Sequence, residues 1–263
     1  MAALVATDLD GTLLHTDGTV TDRTRRVLAA LEERGVTVVF VTGRPIRWMQ
    51  TLWHHGGDHG LAVCSNGGIV YDVPGRRVAQ ARTISREVGL EVAETLRSAV
   101  PGTTFAVERT ESFGHEPEFR SQADRVPGFD PQVAPLPELF DGSVVKMLAR
   151  HEELPPEDYW RRVEEAVGHA VTTTWSSVGA LVEMSAAGVT KASTLELLCA
   201  ELGFAAEDVV AFGDMPNDVA MLEWVGTAYA MENAHPLAKA AADRLAPRND
   251  EDGVAQVLEQ LFL

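Results

Sequence analysis

The sequence predicts an α/β protein with a parallel-sheet core interrupted by an inserted α+β module. Three observations carry this reading. Short continuous apolar runs alternate with amphipathic stretches at the start of the chain. The same alternation returns near the end. Between them, from about Thr83 to Ser185, strands are less apolar and connections longer, and residues 109–142 are rich in Pro, Gly and charge. Strands apolar on both faces are covered on both sides, and strand–helix alternation brings them together in parallel.

Taken in order, Ala3-Leu4-Val5-Ala6-Thr7 is an apolar strand that runs into the turn Asp8-Leu9-Asp10-Gly11. Thr21 or Asp22 can cap a helix through Arg34, with Val27, Leu28 and Leu31 on one face and Gly35 as its stop. Val36 to Val41 is β-branched and apolar, a second strand. It ends at Thr42-Gly43-Arg44, and Pro45 sits where a helix can begin. Leu61 to Cys64 is a third strand, followed by Ser65-Asn66-Gly67-Gly68. In the middle, Val144 to Ala149 reads as a strand and Pro156 to Val167 as a helix. Val171 to Trp175 and Leu181 to Met184 read as further strands. Lys191 to Leu202 is helical in pattern, and Val209 to Phe212 is a strand that runs into Gly213-Asp214. A short helix over Asn217 to Trp224, a strand over Ala228 to Met231 and a closing helix over Val254 to Leu261 complete the core. The expected organisation is a core made of residues 1–82 and 186–263, with the inserted module at 83–185.

Composition narrows the function. With 39 acidic against 22 basic residues the formal charge is -17. Such a surface repels nucleic acid and anionic membrane, so neither is an expected partner. A phosphate substrate would need local positive charge at its site. Cys64 and Cys199 lie in apolar runs with no metal-ligand spacing and read as small buried hydrophobes. The N-terminus lacks a basic region and a long apolar stretch, so no signal peptide is expected, and no apolar window is long enough for a membrane span. A cytoplasmic location and a monomer or weak homodimer are expected.

In an open parallel sheet, ligands bind outside the carboxyl ends of the strands. Asp8 and Asp10 follow the first strand, Thr42 the second, and Asp214 and Asp218 a late one. In extended backbone, residues i and i+2 project to the same side, which puts Asp8 beside Asp10. Asp214 and Asp218 would join them in a cluster of carboxylates. Any one of these aspartates alone reads better as a solvated loop residue; their convergence at strand ends argues for a site. Clustered carboxylates need a compensating cation, and Mg²⁺ suits an all-oxygen set. A carboxylate there can attack phosphorus, and a second acid at Asp10 can protonate the leaving oxygen and later activate water. Lys191, the Thr42 hydroxyl and backbone N–H groups can stabilise the phosphoryl charge. Gly11 and Gly43 allow close backbone approach.

These segments carry a resemblance. Asp8-Leu9-Asp10-Gly11-Thr12 resembles the first motif of the haloacid dehalogenase superfamily in its phosphatase form. Val41-Thr42-Gly43-Arg44 resembles the second motif, Gly188-Val189-Thr190-Lys191 the third, and Gly213-Asp214-Met215-Pro216-Asn217-Asp218 the fourth. Ser65-Asn66-Gly67-Gly68 and Asn249-Asp250-Glu251-Asp252-Gly253-Val254 resemble the Cof-like branch, which has a Rossmann-like core and a C2B cap. The resemblance implies Asp8 as nucleophile, Asp10 as acid/base, and Thr42 and Lys191 as phosphoryl-binding residues. It implies Mg²⁺ bound by Asp8, Asp214 and the backbone carbonyl of Asp10, with Asp218 in support. Asn217 is expected to contact the phosphate or orient Lys191, Asn66 to lie near the cap hinge and substrate, and Arg44 to reach the substrate or pair with a surface carboxylate. One departure is Glu232, where relatives usually have Gly.

The expected activity is hydrolysis of small phosphorylated metabolites, sugar phosphates first. Sugar-phosphate mutase chemistry and a regulatory phosphometabolite-binding protein stand as alternatives. The acid at Asp10 argues against dehalogenation, where the halide leaves without a proton. Weaker signals are His54, His55, Asp58 and His59, read as a solvated loop, and Trp48 and Trp53, read as packing. His115, Arg120 and Lys146 are cap residues that could grip substrate.

Overall fold

Why the chain turns where it does is clearest in its first element. Leu4, Val5, Ala6 and Thr7 are all fully buried, although alternate side chains of a strand point to opposite faces. The strand is therefore covered on both sides, as its uninterrupted apolar character requires. The computed structural model describes residues 4–49, 60–121, 130–175 and 179–263. The chain divides into two units, Met1–Gln80 with Thr190–Leu263, and Ala81–Val189.

Along the chain, β1 (Leu4–Thr7), β2 (Thr37–Val41), β3 (Leu61–Cys64), β4 (Ile69–Asp72) and β5 (Arg77–Ala81) lie in one sheet. A second sheet holds β6 (Thr104–Arg109), β7 (Phe113–His115), β8 (Gln132–Val133), β9 (Val144–Arg150), β10 (Val171–Thr174) and β11 (Leu181–Ala186). The chain then returns to the first with β12 (Val209–Gly213), β13 (Thr227–Met231) and β14 (Arg244–Ala246). The helices are α1 (Asp22–Glu33), α2 (Arg86–Ala99), α3 (Leu136–Leu139), α4 (Pro156–Val167), α5 (Lys191–Leu202), α6 (Val219–Trp224), α7 (Pro236–Ala241) and α8 (Gly253–Phe262).

The first sheet runs β14-β13-β12-β1-β2-β3-β4-β5. From β14 to β3 every pairing is parallel. The expected parallel core is present, and it ends at β3: β4 runs antiparallel to β3. The tight Ser65–Gly67 turn reverses the chain directly, without the helical crossover a parallel neighbour would need. Helix α1 begins at Thr21, whose hydroxyl accepts the Thr24 N–H, and it buries Val27, Leu28 and Leu31. Helix α5 begins with a reciprocal cap in which the Thr190 hydroxyl accepts from Ser193 N–H and the Ser193 hydroxyl from Thr190 N–H. That cap fixes Lys191 as the first helical residue.

In the second unit the strand order is β10-β11-β9-β6-β7-β8, antiparallel except between β7 and β8. One apolar core joins Val92 and Leu96 of α2, Tyr159 and Val163 of α4, and strand residues Phe105, Val107, Met147, Val182 and Met184. Among the described residues no helix is long and apolar enough to cross a membrane.

Candidate active site

The first unit's strand ends carry the reactive groups. Asp8 directly follows β1, and its N–H still donates to Phe212 O at 3.0 Å, so the sheet ladder sets its position. Its side chain is buried. Lys191 Nζ donates to Asp8 Oδ1 at 2.6 Å and to Asp218 Oδ1 at 2.7 Å. A lysine at a helix N-terminus opposes the helix dipole; here the two carboxylates compensate it. The other oxygen of Asp218 accepts the N–H groups of Asp214 and Met215, each at 3.0 Å. Asp218 thereby shapes its own loop and orients Lys191. Thr12 donates its hydroxyl to Asp214 Oδ1 at 3.1 Å.

One carboxylate oxygen from each of Asp8, Asp214 and Asp218 lies within 4.8 Å of the others. Three carboxylates face one ammonium, and the electrostatics follow. Burial pushes the Asp8 carboxyl well above its ordinary range; Lys191 opposes this, and Asp218 and Asp214 reinforce it. Burial, with the charge of Asp218, pushes Asp214 up to about 7. For Lys191 burial acts downward, but Asp218 and Asp8 outweigh it and hold the ammonium above its usual range. An all-oxygen, under-compensated set of this kind fits a hard divalent cation. The oxygens of Asp218 are already engaged, so Asp8 and Asp214 are the carboxylates best able to hold one.

Asp10 departs from expectation. Its side chain is 58% exposed and its carboxylate lies outside the buried cluster. The rule that i and i+2 share a side assumes extended backbone, and the chain turns at Leu9. Arg44 instead grips Asp10 through Nε to Oδ2 at 2.6 Å and Nη2 to Oδ1 at 2.5 Å. Of the two readings for Arg44, this geometry matches pairing with a carboxylate.

Thr42 is buried, and its hydroxyl accepts Arg44 N–H at 3.0 Å, leaving the hydroxyl hydrogen available to donate. Asn66 is fully buried in a left-handed conformation, and its Oδ1 accepts from Asn217 Nδ2 at 3.1 Å. Asn217 thus reaches Asn66, while Lys191 is oriented by Asp218. The glycines make room for side chains: a Cβ on Gly11 would sit 2.3 Å from Asp214 Oδ2, and one on Gly43 2.9 Å from Asn66 Oδ1. A Cβ on Gly67 would sit 2.2 Å from Thr190 O, so the turn holding Asn66 packs directly on the cap of α5.

The contacts made by two residues are absent from the sequence reading. Thr12 lies inside the first motif but signals nothing about its partner Asp214. Asn233 donates to Gly11 O at 2.7 Å and accepts Asn249 N–H at 3.0 Å, bracing the turn after Asp8. It is the neighbour of the divergent Glu232, and only that departure marks the segment. In the second unit, Lys146 is buried against Glu183 at 2.5 Å, Arg120 is exposed beside Glu152, and His115 Nδ1 meets Glu116 O at 2.7 Å. Cys64 and Cys199 are buried. Trp53, His54, His55, Asp58 and His59 lie outside the described residues.

Comparison with known proteins gives the family. The chain is 34% identical to the HMP-PP phosphatase of Serratia proteamaculans, over 93% of this chain and 89% of that protein. It is 30% identical to pyridoxal phosphate phosphatase YbhA of Escherichia coli, over 97% of each. A solved haloacid dehalogenase-like hydrolase from B. subtilis superposes with a TM-score of 0.84 at 26% identity, over 99% of this chain and 100% of that one. The family model for haloacid dehalogenase-like hydrolases matches residues 5–258. With a match of that extent, and with named phosphatases among its relatives, the chain belongs to the haloacid dehalogenase-like hydrolase family as a phosphatase of the Cof-like branch.

Proposed function

We propose that the protein is a magnesium-dependent phosphomonoesterase for small phosphorylated metabolites, working through an aspartyl-phosphate on Asp8. The observation that carries the proposal is the buried contact of Lys191 with Asp8, beside Asp214 and Asp218. Asp8 attacks phosphorus, Asp10 protonates the departing oxygen, and Asp10 then activates the water that cleaves the intermediate. Lys191, already within hydrogen-bonding distance of Asp8, meets the phosphoryl oxygens as they transfer, and the Thr42 hydroxyl donates to the same group. Asp8 and Asp214 would hold Mg²⁺ with the Asp10 carbonyl, and Asp218 would keep Lys191 and the Asp214 loop in place. Bound there, Mg²⁺ would offset the carboxylate charge and polarise the phosphoryl group.

As substrates we place phosphorylated heterocycles ahead of sugar phosphates, a ranking supported by relatives named for pyridoxal phosphate and HMP-PP. Phosphate release is to be measured over pyridoxal 5′-phosphate, HMP-PP, 4-nitrophenyl phosphate and a set of sugar phosphates, with Mg²⁺ and with excess chelator. Release is expected from several esters, to vanish in chelator, and to fall at least about a thousand-fold in Asp8→Asn. Near-normal turnover by Asp8→Asn, or full activity in chelator, would overturn the mechanism.

A further inference from the structure

Among the described residues, Arg44 supplies the hydrogen bonds that hold the Asp10 side chain. An aspartate in a turn, more than half exposed, has several open rotamers of similar energy. The guanidinium fork removes that freedom, because two parallel N–H···O bonds fix both the position and the plane of the carboxylate. The fork is itself anchored. Arg44 N–H donates to the Thr42 hydroxyl at 3.0 Å, and Arg44 O accepts Ser65 N–H at 3.0 Å. Asn66 N–H donates to Thr42 O at 3.1 Å, closing the loop onto the same turn. Arg44 is thus tied at its backbone to the phosphate-binding threonine and at its side chain to the acid/base.

We infer that Arg44 is a positioning residue for Asp10: it holds the acid/base carboxyl group in the orientation that meets the leaving oxygen, and it contributes to turnover through Asp10. The inference rests on the phosphatase reading above and deepens it. Lysine at this position would keep the charge but supply a mobile point donor, with no fork to set the carboxyl plane.

The test uses leaving-group dependence, read in kcat/KM, which reports the steps through release of the first product and so excludes the later water attack. Wild type, Arg44→Lys, Arg44→Ala and Asp10→Asn are compared on 4-nitrophenyl phosphate and on the alkyl phosphate that wild type cleaves fastest. 4-Nitrophenolate leaves without a proton, whereas an alkoxide needs one. Both Arg44 variants are expected to lose about ten-fold or more on the alkyl ester and far less on the aryl ester, in the pattern of Asp10→Asn. Their thermal midpoints are expected to stay close to wild type. Equal losses on both esters would mean that Arg44 grips the phosphate directly and would overturn the inference, as would unchanged kinetics in Arg44→Lys. Absence of any wild-type hydrolysis would instead defeat the underlying phosphatase reading.

Discussion

Lys191 Nζ lies 2.6 Å from Asp8 Oδ1, and both side chains are buried. Removing one member of a buried ion pair leaves the other uncompensated, at a cost of about 3–5 kcal/mol. Here the loss is compounded, since Lys191 also neutralises Asp218 and stands against Asp214. Lys191→Met is therefore expected to lower unfolding stability by about that amount in urea titration. Turnover should drop at least about a hundred-fold, because the cation that meets the transferring charge is gone. A variant with wild-type urea midpoint and undiminished turnover would refute the role given to this pair.

Gly11 and Gly18 separate backbone strain from site geometry. Both are left-handed, with φ of 76° and 80°. A Cβ on Gly11 would strike Asp214 Oδ2 at 2.3 Å, while one on Gly18 meets nothing within 4 Å. Alanine at either position is expected to cost about 1–2 kcal/mol for the left-handed backbone. Only Gly11→Ala should also weaken magnesium activation and turnover, since it must push Asp214 aside. Magnesium titration of activity in the two variants checks this, and parallel behaviour would count against Asp214 as a ligand.

Much of this site was legible because the chemistry sits where apolar runs stop. Asp8 follows β1, Thr42 follows β2, Asp214 follows β12, and Lys191 opens a capped helix. Asp10 was misplaced because a two-residue period holds only in extended chain, and the turn begins at Leu9. Thr12 and Asn233 were illegible for another reason: their partners lie 202 and 222 residues away, and no local pattern encodes such pairs. In the fold, β5 was missed because Arg77 to Ala81 alternates between exposed and half-buried positions, leaving no apolar run. Helix α2 carries a glycine in its interior, which argues against a helix by propensity. The structure gives the reason for Gly89: a Cβ there would lie 2.1 Å from Phe140 Cζ.

Asp252 ties the two ends of the core unit's sequence together. Its Oδ1 accepts from Thr21 Oγ1 at 2.7 Å and Thr24 Oγ1 at 3.3 Å, and meets His15 Nε2 at 3.0 Å. Partial burial acts to raise its carboxyl, but the bonds from Thr21, His15 and Thr24 prevail and hold it below the ordinary 3.8. A depressed folded value means that the stabilisation is present above about pH 4 and is lost as pH falls through the folded value. Asp252→Asn keeps a residue that tolerates the left-handed backbone found there, with φ of 57°. It is expected to lower stability by about 1–2 kcal/mol at neutral pH, with the difference from wild type shrinking in acid. Urea midpoints at pH 7 and near pH 3 measure it; a difference independent of pH would show that the carboxylate charge is idle.

Asp214 is expected to govern how cation binding depends on pH. Burial and the charge of Asp218 push it from the ordinary 3.8 up to about 7. In the metal-free protein a raised value disfavours the charged form, so the contribution of this group to stability is full below about pH 4 and is lost as pH rises from there through about 7. A divalent cation bound to that carboxylate competes with its proton. Magnesium should therefore raise the thermal midpoint little at pH 5 and substantially at pH 8. Asp214→Asn removes one of the two raised carboxyls and leaves Asp8, so its metal-free midpoint should change less between pH 5 and pH 8, and magnesium should no longer raise it. Thermal shifts across that range, with and without magnesium, measure both effects. A magnesium shift of equal size at pH 5 and pH 8 in the wild type would show that the ion binds away from this carboxylate.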